Sequence, residues 1–157
     1  MNSKTFSAAM ALVGLFLTPA RIISQDSLAG AKIEVHMHYA GAGKVDEKHK
    51  IFVALWDSTD FMKGGESAPV AMATTATKDG TVVFENVKKS PAYLTSLYDP
   101  KGEWDAASAP PDGSVVGMYS TNPGEPAPIE VKSGKSTTVE FTFDDTVTMN
   151  GGQPQVK

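Results

Sequence analysis

Cysteine is absent from this chain. That excludes disulfides, thiol nucleophiles, cysteine-ligated metal sites and lipid attachment to an N-terminal cysteine. Arginine is nearly absent, Arg21 being the only one. A chain so poor in clustered basic charge is unsuited to nucleic acid and disfavoured on anionic membrane surfaces. No apolar run approaches the roughly 20 residues that a membrane helix requires. The longest, Phe6 to Leu17, is about half to two-thirds of that. Helical periodicity, heptads and internal repeats are missing. So are a Gly-x-Ser-x-Gly nucleophile motif and a phosphate-binding loop, since Ala40-Gly41-Ala42-Gly43 has no Lys-Ser/Thr after it.

What is present belongs to one globular unit. The 157 residues are 41% hydrophobic and 20% charged, ordinary values for a chain with a buried core. Residues 1–24 read as a secretory signal peptide: Lys4 in a weakly basic start, the apolar Phe6–Leu17, then small residues to Ser24. Removing Lys4 and Arg21 with that segment leaves 12 Lys against 18 Asp and Glu, a charge of −6. Export without disulfides places the load on the core alone and fits a bacterial periplasm or cell exterior.

Beyond residue 31 the hydrophobic period is two. Ile33, Val35, Met37 and Tyr39 alternate with Glu34, His36 and His38, a half-buried strand. Ile51–Trp56 is apolar on both faces and reads as a central strand. Pro69–Ala76 is a third strand. Lys78-Asp79-Gly80 is a tight-turn signal, with Thr81–Phe84 as its paired strand. Tyr93–Tyr98, Val115–Tyr119, Ile129–Val131 and Thr138–Phe143 complete the set. Asp60–Ser67 is a loop with room for one helical turn, and Ala40–Lys48 is a flexible loop. The expectation is an all-β chain: one antiparallel sandwich of seven to eight strands, transthyretin-like or Ig-like, over residues 32–147, with a disordered tail at 148–157. Val53, Leu55, Tyr93, Leu97, Val139 and Phe141 are its expected core.

Ile51–Ser58 resembles the second strand of an uncharacterised family of bacterial secreted proteins that carries a Val-Ala-Leu-Phe-Asp-Ser pattern. In that family a Phe-Glu-Asn strand end leads through a proline turn to a Tyr strand and an Asp-rich loop. Here Phe84-Glu85-Asn86-Val87, Pro91-Ala92-Tyr93-Leu94 and Tyr98-Asp99-Pro100-Lys101-Gly102 follow in that order. The segment is also similar to carboxypeptidase regulatory-like and transthyretin-like modules. The resemblance spans about residues 32–143 and implies a sandwich fold, not an activity. Ala92 stands where those modules place glycine, and the loop lacks repeated Asn-Gly. The transthyretin-like hydroxyisourate hydrolases end in Tyr-Arg-Gly-Ser; this chain ends Gln153-Pro154-Gln155-Val156-Lys157, which argues against their chemistry.

Three groups of residues are candidates for a site. His36 and His38 share one face of a strand, and a hairpin across residues 40–48 would bring His49 near them. Such imidazoles suit zinc or copper, or else are solvent-exposed polar positions. Asp99, Glu103, Asp105 and Asp112 offer oxygen ligands for calcium but lack the Asp-x-Asp-x-Asp spacing of a calcium loop. Trp104 in that loop either caps the core or anchors a protein or sugar. Phe52 and Trp56 point away from Val53 and Leu55, and form an interface if that face lies uncovered. No catalytic residues stand out. The reading is a non-catalytic binding or structural accessory module of the cell envelope, facing a protein or carbohydrate. A periplasmic metal-binding protein using His36, His38 and His49 is the alternative.

Overall fold

The computed structural model describes residues 30–63 and 67–157. The signal-peptide reading of residues 1–24 lies outside them. The described residues form an all-β sandwich of nine strands in two sheets. In chain order these are β1 (Lys32–Tyr39), β2 (Ile51–Trp56), β3 (Ala71–Thr75), β4 (Asp79–Glu85), β5 (Tyr93–Tyr98), β6 (Val115–Met118), β7 (Ser136–Phe143), β8 (Val147–Asn150) and β9 (Gln153–Val156). The smaller sheet has the order β4-β1-β7, the larger β3-β2-β5-β6-β8-β9. A 3₁₀ turn, Asp60–Lys63, follows β2.

Alternation decides which side chains meet between the sheets. Ile33, Val35, Met37 and Tyr39 of β1 pack with Ile51, Val53 and Leu55 of β2, Leu94 and Tyr98 of β5, and Val139, Phe141 and Phe143 of β7. Burying each such aliphatic or aromatic side chain contributes about 1.5–3 kcal/mol.

Several expectations need correction. β1 and β2 do not form a hairpin: β1 pairs with β4 and, in parallel, with β7, whereas β2 pairs with β3 and β5. The chain crosses between sheets through residues 40–50, so the sandwich contains one parallel pair. Likewise β3 and β4 lie in different sheets and are joined by residues 76–78; Asp79 and Gly80 are not a turn but the first residues of β4, opposite His38 and Met37. Ile129 and Val131 are buried, but Ile129–Val131 is not a strand. Ile129 exchanges two backbone hydrogen bonds with Ala92 and the pairing stops there, because Pro126 and Pro128 remove donors nearby. Of the two core residues expected in β5, Leu97 is buried but stands outside the inter-sheet cluster and Tyr93 is only half-buried, because the β5 register points Leu94, Ser96 and Tyr98 inward. Finally, residues 148–157 are not a disordered tail. Asn150 to Gln153 form a two-residue hairpin turn with Gly151 and Gly152 both at positive φ (58° and 75°), and β8 and β9 pair across it.

The Ala40–Gly43 loop is held by close approach. A Cβ on Gly41 would meet the Tyr39 ring at 2.4 Å, and one on Gly43 the Tyr98 ring at 2.4 Å. The two tyrosine rings lie 4.9 Å apart. The Tyr39 hydroxyl donates to Asp145, which also accepts from the Ala42 N–H at 2.9 Å, while the Tyr98 hydroxyl donates to the Lys44 carbonyl at 2.8 Å. The glycines therefore let the crossover pack flat on buried aromatics. Burial, reinforced by Asp145, holds the Tyr39 phenol well above its ordinary pKa, and the Tyr39 hydroxyl holds Asp145 below the usual carboxylate range.

Candidate binding face

The face of the larger sheet that turns away from the core is made by alternate residues of four strands. β2 places Phe52, Ala54 and Trp56 there. The register sets Thr74 and Leu97 beside Phe52, Met72 and Thr95 beside Ala54, and Tyr93 beside Trp56. Val116 and Met118 extend the rows onto β6. A sheet with one solvated face normally carries polar residues at such positions. Here they are mostly aromatic and apolar, and most are half-buried. Leu97 is only 8% exposed although it stands outside the inter-sheet core.

Two aromatic pairs stand on this face. Trp104 meets Phe52 edge-on, with centroids 4.7 Å apart and planes at 70°. Trp56 lies 4.9 Å from Phe61 of the 3₁₀ turn, and its Nε1–H donates to Thr95 Oγ1 at 2.9 Å. Phe52 and Trp56 are four residues apart on one extended strand, about 13 Å, with the small side chain of Ala54 between them. The result is two raised aromatic positions with Ala54 and Thr95 in the interval.

Trp104 is fixed by its own loop. The buried Asp99 carboxylate accepts backbone N–H groups from Lys101 (2.9 Å), Glu103 (2.8 Å) and Trp104 (3.0 Å). Burial alone would raise the Asp99 pKa, but these three donors favour the anion and bring it below the ordinary value. The indole Nε1–H of Trp104 donates to the Ser108 carbonyl at 3.0 Å. Ala106 sits at φ 64°, a left-handed conformation rarely taken by alanine, where the Asp105 carboxylate accepts the Ala107 N–H at 2.9 Å. So Asp99 and Asp105, put forward as calcium ligands, are turned onto backbone amides of the same loop.

The three histidines are dispersed by the absence of the β1–β2 hairpin. His36 and His38 do share the outer face of the smaller sheet. His36 lies between two carboxylates, Nε2 3.2 Å from Glu34 Oε1 and Nδ1 2.8 Å from Glu140 Oε1. Glu34 and then Glu140 raise its pKa. The carboxylates occupy opposite edges of the ring, so they do not converge on one nitrogen. His38 Nδ1 pairs with Asp79. His49, at the entry to β2, pairs with Asp46 at 2.8 Å. Among the described residues no group of three or more His, Asp or Glu is arranged to hold a metal ion.

At the end of the sandwich where β3 and β4 splay apart there is a cleft of about 400 Å³. Leu55, Val70, Ala71, Val87 and Ala92 line it, Trp56 stands at its boundary with the aromatic face, and Asp57, Glu85, Lys88 and Lys89 are its charged members. Lys89 is tied to Asp57 at 2.6 Å.

The structure thus brings together two of the proposed partner-binding residues, Phe52 and Trp104, and sets Trp56 along the same strand. Phe61 and Met72 were missed. Met72 was legible from the parity of β3 once it was paired with β2; Phe61 was not, because its position depends on how the 3₁₀ turn folds back. No protein-family model, no curated protein and no solved structure matches this chain.

Proposed function

We propose that this chain is an exported, non-catalytic binding module of the bacterial cell envelope that meets a protein or carbohydrate partner with the outer face of its larger sheet. One observation carries the reading: positions that solvent ordinarily makes polar hold Phe52, Trp56, Leu97, Val116 and Met118, with Trp104 and Phe61 added from loops. Rigid aromatics on a preformed sheet supply contact area at low entropic cost, and tryptophan is a favoured anchor in recognition surfaces. The signal-like N-terminus supports export.

The test exploits composition. The chain has two tryptophans, and both belong to this face. Intrinsic fluorescence therefore reports it without a label. Titration with soluble peptidoglycan fragments, envelope glycans and envelope peptides is expected to give a saturable change with at least one class. Trp104→Ala should weaken that binding by about tenfold or more, the scale of an interface anchor. If no class produces saturation, the reading fails.

A further inference from the structure

Among the described residues the two open sheets have four strand edges: β4 and β7 in the smaller sheet, β3 and β9 in the larger. Each offers backbone N–H and C=O groups on which another strand can form, and proteins guard such edges with charge or proline. Three of these edges are guarded. β4 carries Asp79 and Glu85, β7 carries Glu140, and β9 contains Pro154 with Lys157 just after it. β3 carries neither. Ala71-Met72-Ala73-Thr74-Thr75 has no charge and no proline, and residues 67–77 have no charge at all. Pro69 lies ahead of the strand and leaves its five residues able to pair. Two large apolar side chains stand open to solvent here, Val70 at 55% and Met72 at 40% exposure.

Charge and pattern together select the occupant. The chain carries a net −4, so a second copy is repelled over most of the surface and least of all at an uncharged edge. The strand also complements itself. Run antiparallel about Ala73, Ala71 of one copy faces Thr75 of the other, and Met72 faces Thr74, both on the outer side of the sheet.

We propose that the protein forms a two-fold dimer in which β3 pairs antiparallel with β3 of a second copy. Val70 and Met72 gain a flanking strand in that pairing and lose part of their exposure. The two six-stranded sheets continue into one, and their aromatic faces become a single surface carrying the Phe52–Trp104 and Trp56–Phe61 pairs twice. On the binding function proposed above, the assembly is bivalent, and avidity for a repetitive partner follows from tethering alone. That consequence rests on the proposed function; the dimer does not.

Sedimentation of the unmodified protein from nanomolar to high micromolar concentration should show the dimer fraction rising with concentration. Amides of Ala71–Thr75 should gain hydrogen-exchange protection in step. The double variant Met72→Lys/Thr74→Lys alters only outward-facing side chains and should shift the dimer midpoint at least tenfold higher. Val83→Lys, on the guarded edge of the smaller sheet, should leave it unchanged. Should the double variant fail to fold, the concentration-dependent exchange of the unmodified protein decides the matter. A protein that stays monomeric throughout, or that dimerises without protecting β3, overturns the proposal. Tryptophan titrations of the unmodified protein at concentrations below the dimer midpoint separate this outcome from failure of the binding function, because each single copy carries the whole aromatic face.

Discussion

At Ser96 a hydroxyl is buried where the two sheets meet, 2% exposed and with no hydrogen-bond partner for its Oγ. Its neighbour across the β5–β6 pair is Gly117. A Cβ built there would lie 2.4 Å from that Oγ and 2.6 Å from the Phe143 Cβ. Glycine is thus required by space, and the hydroxyl contributes desolvation without compensation. Ser96→Ala should therefore be neutral or raise stability by about 1 kcal/mol, since a buried unmade hydrogen bond is removed. Gly117→Ala should lower it by about 1–3 kcal/mol through overpacking. Combining the two should recover part of the loss, because the 2.4 Å clash partner is gone. Urea denaturation of the three variants measures all of this; equal effects of Gly117→Ala in both backgrounds would refute the shared contact. The inward set of β1 and β7 was legible in the sequence because those strands alternate strictly. β5 was not, because Tyr93-Leu94-Thr95-Ser96-Leu97-Tyr98 carries large apolar side chains at both parities. Its orientation is decided by pairing with β2, which no local pattern encodes.

At the scale of elements, existence was more legible than partnership. Strand after strand announced itself by composition, yet which strand lies beside which depends on loops. The eleven residues between β1 and β2 look like a hairpin loop and serve as a crossover between sheets. That single change scattered the histidines. The C-terminal hairpin was overlooked for another reason: its Asn150-Gly151-Gly152 turn is a strong signal, but β9 is wholly exposed and so shows no apolar face. The two strands should differ in their contribution accordingly. Truncation after Asn150 removes only exposed residues and should lower stability by less than about 1 kcal/mol, within the range of surface changes. Truncation after Thr146 also removes Met149, which is buried and exchanges backbone hydrogen bonds with the Gly113–Ser114 turn. That deletion should lower stability by about 2 kcal/mol or more. Chemical denaturation of both truncations tests the ranking, and equal effects would show that β8 is as dispensable as β9.

For the whole molecule, one end of the sandwich is held by carboxylates that must stay ionised. Asp99 fastens the Trp104 loop through three backbone donors, and Asp145 fastens the β1–β2 crossover through Tyr39 and Ala42. Both have folded pKa values below the ordinary carboxylate value. An unfolded aspartate titrates near about 3.9. Above that pH both groups are ionised in either state and their stabilisation is complete. As pH falls below it, the unfolded state takes up protons first, and the contribution is lost by the time pH has dropped through the folded values. Stability should therefore decline steeply below about pH 4, and Asp99→Asn/Asp145→Asn should flatten that slope while lowering stability at neutral pH. The same linkage reaches the binding face. Protonation of Asp99 releases the loop that places Trp104 on Phe52, so in a Trp56→Phe background the remaining tryptophan emission should shift red ahead of global acid unfolding. If the emission shift and the loss of β-sheet circular dichroism coincide at every pH, Asp99 anchors the fold as a whole and not the aromatic face in particular.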